Sequence, residues 1–303
     1  MNRRILIALI CLATPAVALA ARSAPAAHSA EPRALAATPS APCTGARRPT
    51  RFRHVIWFIF ENHNTGQVAG HSPYMNRIAA RCGLLTNLTA VAHPSLPNYL
   101  ALTSGSTHKV ADDGPPSSHP IGTRNLFEQA SRWRTYAEGM PRACSRSDGG
   151  SRYAVKHNPA AYYTDLRGVC AKRDQPLSNL KADLQRRRLA RFTLIVPNLC
   201  DDEHDCSLST GDAWLAKWLP VVLQTRQYRA GRTLVIVTYD EGTQRAGHDP
   251  VYTVVIAPSV RPHTVVTGRY SHYSTLRTTE RALGLPLLGH ARTATGYGRP
   301  FRL

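Results

Sequence analysis

Four stretches of strand-forming residues are almost continuously apolar: His54–Phe60, Phe192–Val196, Thr233–Tyr239 and Val251–Ala257. Runs of this length without alternation predict strands buried on both faces. Between them, the stretches around Tyr99–Thr103, Leu126–Trp133, Gly211–Val222 and Ser274–Leu283 read as helices. Strands alternating with helices predict an α/β fold on a mostly parallel central sheet. In open sheets of that kind ligands bind outside the carboxyl ends of the strands. The first three strands end in Glu61-Asn62-His63-Asn64, Pro197-Asn198 and Asp240-Glu241-Gly242, so the chemistry is expected there.

The N-terminus follows another pattern. Arg3 and Arg4 precede the apolar run Ile5–Leu12, and Ala18-Leu19-Ala20 supplies small residues after it. These are the parts of a secretory signal peptide, here 1–20. Residues 21–51 are rich in Ala, Pro, Ser and Arg without periodicity and predict a disordered lead. The remainder, 52–303, has the length of one large α/β domain. No later stretch offers the ~18 consecutive apolar residues of a membrane-spanning helix, so a secreted, extracytoplasmic protein is expected. Loss of Cys11 with the signal leaves Cys43, Cys82, Cys144, Cys170, Cys200 and Cys206, an even set that favours disulfides over zinc in an exported chain. Local spacing favours Cys144–Cys170 and Cys200–Cys206 and leaves Cys43–Cys82, although the count permits other connectivities.

A formal charge of +19 raises nucleic acid or an anionic membrane as partners. The arginines are scattered, however, and the block Arg186-Arg187-Arg188 lacks the interleaved aromatic residues of a strand-binding groove. Nucleic acid is therefore not expected. A basic surface suits an enzyme whose substrates carry phosphate, because it raises their local concentration.

Glu61-Asn62 and Asp240-Glu241 bring carboxylates and an amide oxygen, a set that suits one hard divalent cation such as Mg²⁺, Ca²⁺ or Mn²⁺; polar strand ends also simply solvate loops. His93–Gly105 reads as a loop entering a helix. Ser95 there either caps the helix or places its hydroxyl beside N–H groups that attract phosphate, where a metal can activate it as a nucleophile. Cys200–Cys206 encloses Asp201, Asp202, Glu203, His204 and Asp205. That segment is a rigid functional loop if the cysteines pair, or an acidic surface loop. Lys156 and His157 either meet a phosphate oxygen or form a solvated turn. His248 and His272 are single histidines near polar turns. Walker, Gly-x-Gly-x-x-Gly and Gly-x-Ser-x-Gly patterns are absent, which argues against an ATPase, a Rossmann enzyme and a lipase-type esterase.

Together, Phe60–Asn64, Ala92–Leu102, Pro197–Cys206 and Tyr239–Gly242 resemble the bacterial phosphoesterase family, which includes secreted acid phosphatases and non-specific phospholipases C. The resemblance runs from about His54 to Gly289, with the motifs in the family's order. It implies a three-layer α/β/α, alkaline-phosphatase-like fold and one divalent metal ion, with Glu61, Asn62, Asp240 and Glu241 at the metal positions. It also implies Ser95 as the nucleophile and Asn98 as the residue steadying the transferred phosphoryl group. His204 and Asp205 match the family's His–Asp pair, and His272 lies in the Ser-His-Tyr-Ser element before the last helix. On this reading Ser95, Asn98, His204 and His272 are catalytic, and His93, Lys156, His157 and Asp205 contact substrate. The expected activity is hydrolysis of phosphate monoesters, with phosphoinositide headgroups on an anionic leaflet among the substrates. The alternatives are a phospholipase C-type diesterase and a non-catalytic binding protein of the same fold. No stable protein partner is expected.

Overall fold

The four expected strands lie in one sheet of nine in the computed structural model, which describes residues 38–243 and 249–303. The expected signal peptide (1–20), the first part of the lead and His248 lie outside the described residues. The strands are β1 (His54–Phe60), β2 (Gly83–Thr89), β3 (Trp133–Ala137), β4 (Asp174–Pro176), β5 (Phe192–Val196), β6 (Thr233–Tyr239), β7 (Pro250–Ile256), β8 (Thr264–Val266) and β9 (Tyr270–Ser271). Their order is β4-β3-β5-β1-β6-β7-β2-β8, with β9 also on β2. β1 runs parallel to both β5 and β6. The three polar strand ends therefore emerge side by side. β7 runs against β6 and β2, and the sheet is otherwise parallel.

β1 explains the layering. Val55 to Phe60 are all 0 % exposed, and successive side chains face opposite sides of the sheet. Trp57 donates its indole N–H to Thr279 of the helix His272–Leu283 (3.1 Å). Phe58 meets Trp214 of the helix Leu208–Leu223 edge-on, with centroids 6.1 Å apart. Each face of the strand thus buries itself under a different helix, and the result is an α/β/α sandwich.

The stretch 126–133, expected as one helix, divides. A short helix, Leu126–Ala130, stops where Ser131 takes φ 56°, and Trp133 starts β3. The helix Ser95–Ser104 is buried along its length and ends at Gly105, whose φ is 78°. A Cβ at Gly105 would stand 2.6 Å from the carbonyl oxygen of Leu288, so glycine is required both by the turn and by the close approach.

Within the segment expected as a disordered lead, residues 43–46 contact the folded domain. Thr44 and Ala46 donate to the Pro258 carbonyl and Gly45 to that of Val260, while buried Cys43 is bonded to Cys82. Composition gave no hint of this docking, because main-chain groups of the segment make much of it, receiving also the Tyr228 hydroxyl at Pro42 and the Arg302 guanidinium at Gly45. The other bridges are Cys144–Cys170 and Cys200–Cys206. Replacing Cys43 and Cys82 together by serine releases a loop of sequence separation 39. Urea unfolding should show about 2–4 kcal/mol less stability, and an unchanged midpoint would mean the segment is held by its backbone bonds alone.

Glu280 lies fully buried in the helix His272–Leu283 and accepts the N–H of Leu288 (2.9 Å). Burial pushes its carboxyl up to about 8 from 4.5, against the pull of that hydrogen bond and of Arg277, Arg281 and Arg292. The folded chain keeps a proton that the unfolded chain has released, so this contribution is complete below the ordinary value and is lost as pH rises through about 8. Glu280→Gln should therefore lose less stability than the parent between about pH 5 and about pH 9 in paired urea titrations. Parallel curves would contradict a protonated Glu280.

Candidate active site

β1 delivers Glu61. Its carboxylate is 0 % exposed, and its N–H donates to the Asp202 carbonyl (2.9 Å), which fastens the Cys200–Cys206 loop to the strand end. Ser95 opens the helix Ser95–Ser104 and donates its hydroxyl to Glu61 Oε2 (3.0 Å). Tyr99 donates to Glu61 Oε1 (2.6 Å). Residues four apart share a helix face, so one helix presents both hydroxyls to one carboxylate.

β6 delivers Asp240 and Glu241. Asp240 Oδ1 accepts the N–H of Asn62 (3.3 Å) and of Glu241 (2.6 Å). Asn62 takes φ 60°, a left-handed conformation that asparagine adopts more readily than most residues. Among the described residues, its hydrogen bond to the cluster is this main-chain N–H. Glu241 Oε2 pairs with His93 Nδ1 (2.7 Å) and accepts from Asn98 Nδ2 (3.1 Å).

His157, in the 3₁₀ turn Val155–His157, enters from the other side. Its Nε2 is 3.3 Å from Glu61 Oε2 and its Nδ1 is 3.0 Å from Asp202 Oδ2, with the ring stacked on Tyr99 at 5.4 Å between centroids. Glu61, His157 and Asp202 each offer a ligand atom within 4.8 Å of the others. The sequence assigned His157 to substrate and gave Asp202 no role. Its metal set was Glu61, Asn62, Asp240 and Glu241, of which the structure brings Glu61 into this cluster and Asp240 beside it and ties Glu241 to His93 and Asn98.

The electrostatics fit a cation. Burial raises the Glu61 carboxyl well above its usual range, and neighbouring Asp240 and Asp202 raise it further. Burial pushes Asp202 up to about 7 and raises Asp240. Glu241 is pushed up to about 9 by burial and by the Asp240 charge. Burial also drives His157 down to about 3, which keeps the imidazole neutral as a ligand must be. Asp240 Oδ2 and His157 Nε2 have no hydrogen-bond partner among the described residues. Buried orphan acceptors are costly. An oxygen-rich set with one neutral imidazole and two such atoms suits a divalent metal, and Glu61, His157, Asp202 and Asp240 are the residues that would hold it.

Around the cluster lie Lys156 and His204. Lys156 Nζ meets Asp113 Oδ2 (2.9 Å) and His204 Nε2 (3.4 Å), while His204 Nδ1 meets Asp205 Oδ1 (2.7 Å). Burial works against the Lys156 charge, but the Asp113 hydrogen bond and the carboxylates of Asp113, Glu61 and Asp240 outweigh it, and the ammonium is stabilised. Asp113 escaped the sequence reading. Its Oδ1 accepts the Leu96 N–H (2.9 Å), so a carboxylate already holds one of the helix-start donors expected to meet phosphate.

Two residues expected to be catalytic, Asn98 and His272, make their hydrogen bonds within the protein. Asn98 is fully buried; its Oδ1 accepts from Val91 (3.1 Å) and Ala92 (3.0 Å), and its Nδ2 donates to Ala92 (2.8 Å) and Glu241. With those atoms engaged, it ties the loop before Ser95 to the end of β6. His272 is also fully buried, is driven down to about 4 by burial, and bonds through Nε2 to the main-chain oxygen of Asp240. It supports Asp240 from behind.

This fold and site define a class. Residues 69–286 match the Phosphoesterase family; the chain belongs to that family and is a hydrolase of phosphoric ester bonds. Its relatives include a phosphatidylinositol-3-phosphatase of Mycobacterium tuberculosis (strain ATCC 25618 / H37Rv), 29% identical over 265 residues and covering 86% of each chain. A phosphate-repressible acid phosphatase of Penicillium chrysogenum is 29% identical over 231 residues. That match covers 71% of this chain and 55% of the fungal one, so the present chain spans little more than half of that relative. Among solved structures, a protein in the alkaline phosphatase superfamily from Vibrio parahaemolyticus is similar in fold, with a TM-score of 0.58 at 12% identity over 86% of this chain and 74% of that one. Among the described residues, no helix is long and apolar enough to cross a membrane.

Proposed function

We propose that the chain is a secreted phosphomonoesterase with Ser95 as nucleophile and a divalent metal at the adjoining carboxylates. The observation that carries this reading is the Ser95 hydroxyl held 3.0 Å from Glu61 Oε2, where a helix start meets the ends of β1 and β6. A cation bound by Glu61, His157, Asp202 and Asp240 would supply positive charge that favours the alkoxide and offsets charge on the transferred group. Ser95 Oγ attacks phosphorus in line with the leaving oxygen; the new O–P bond forms as the ester O–P bond breaks. The serine proton passes to its partner, Glu61 Oε2. Lys156 meets the phosphoryl oxygens. His204, oriented by Asp205, gives a proton to the leaving oxygen; water then attacks phosphorus as the Ser95 O–P bond breaks, His204 takes the proton of that water, and Glu61 returns its proton to Ser95 Oγ.

Hydrolysis of monoesters is favoured by the names of the relatives, and a phosphoinositide headgroup by the phosphatidylinositol-3-phosphatase matched over most of its length. The three disulfides and the signal-peptide pattern support export. The test is the rate on p-nitrophenyl phosphate, on p-nitrophenylphosphorylcholine and on phosphatidylinositol 3-phosphate vesicles, with added Mg²⁺, Ca²⁺ or Mn²⁺. Faster cleavage of both monoesters is expected. Preference for the diester would replace this reading with a phospholipase C-type activity, and no turnover of any would leave the binding protein.

A further inference from the structure

A cavity of about 650 Å³ lies among Arg48, Arg51, Arg277, Thr278, Arg281 and Arg299, residues apart from the Ser95 cluster. No Asp or Glu side chain lines it among the described residues. Arg48 reaches the main-chain oxygen of Leu303 (3.5 Å). Arg277 and Arg281 also lie near Glu280, whose carboxyl burial pushes up to about 8; among the described residues, the arginines in direct ion pairs with a carboxylate side chain are Arg124, Arg134 and Arg188, outside the cavity. We propose that this cavity is an anion site separate from the Ser95 centre, and that it binds a small soluble compound carrying clustered phosphate groups.

Two of the guanidinium groups are held in place by the fold. Arg277 donates to the carbonyls of Ala291 and Arg292, both at 2.8 Å. Arg51 lies against Gly284, the left-handed cap of the helix His272–Leu283, so closely that a Cβ there would stand 2.7 Å from its Cζ. That helix end favours positive charge. Arg281 and Arg299 are exposed and face the same space. Like charges in a concavity repel one another and focus a positive field. A ligand with several anionic groups relieves that repulsion, and arginine forks match phosphate oxygens in pairs. The volume suits a small molecule.

The position selects the source. The cavity surrounds Phe52 and Ala282, before β1 begins and at the end of the helix whose first residue, His272, supports Asp240. Ser95 lies beyond the opposite end of β1, about 23 Å away for seven residues of strand. A membrane seated over the arginines would hold the active centre away from the lipid, so a free polyanion fits better than a lipid surface.

The probe is myo-inositol hexasulfate, which has clustered anionic groups and no phosphate ester to hydrolyse. Calorimetry on the full chain in about 0.15 M salt should show saturable binding. Arg281→Gln with Arg299→Gln should weaken it about ten-fold or more without moving the melting temperature, because both side chains are exposed. Sedimentation with phosphatidylserine vesicles should be the same for parent and double variant. Equal hexasulfate affinity in the two proteins, or no saturable binding, overturns the proposal. So does a double variant that loses vesicle binding yet keeps its hexasulfate affinity.

Discussion

Ser95→Ala should reduce kcat on p-nitrophenyl phosphate by on the order of 10³-fold or more while the chain remains folded. The loss follows from the absence of an attacking oxygen at the start of the helix Ser95–Ser104. The structural cost is smaller. Glu61 Oε2 loses one donor, an effect of about 1–3 kcal/mol for a buried acceptor, while Tyr99 still holds Oε1. Tyr99→Phe is the matching control, because it also removes one hydroxyl from Glu61. If Ser95 served only to satisfy that carboxylate, the two variants would lose similar activity. The nucleophile assignment requires Ser95→Ala to be far more severe, and comparable rates would remove it.

Asp240→Asn should lose activity without losing stability in the metal-free protein. The carboxylate is fully buried, its Oδ2 has no hydrogen-bond partner among the described residues, and burial raises its affinity for a proton. Such a group is expensive in the metal-free protein. An amide keeps the Oδ1 acceptor used by Asn62 and Glu241 but brings no charge. Metal affinity should fall, and turnover with it by on the order of 10²-fold, at least the loss seen when a supporting partner of a ligand is removed. Metal-free Asp240→Asn should melt no lower than the metal-free parent. A lower melting temperature with unchanged metal affinity would make Asp240 a structural residue.

The sequence exposed the parts of this site that sit on regular elements. Glu61 and Asp240 follow apolar strands, and parallel pairing of β1 with β6 makes neighbours of strand ends 179 residues apart. Ser95 was visible because a loop gives way to a helix there. Tyr99 was hidden in an apolar run, where a tyrosine reads as core; its four-residue spacing from Ser95 was the available signal. Asp202 and Asp205 share one acidic loop, and composition cannot say which carboxylate turns inward. The structure buries Asp202 completely and leaves the Asp205 side chain 44% exposed. His157 and Asp113 come from segments without sheet or long helix, so no periodicity marked them. Asn98 and His272 were found by motif, but their roles depend on partners in other elements, which only the packed chain reveals.

The central claim is that buried carboxylates and one imidazole hold a metal beside a nucleophilic serine. Its most direct test is hydrolysis of p-nitrophenyl phosphate by the purified chain before and after chelation, with metal content measured on the same samples. Activity should disappear with the metal and return on adding Mg²⁺, Ca²⁺ or Mn²⁺. Undiminished turnover by protein shown to contain no metal would contradict it.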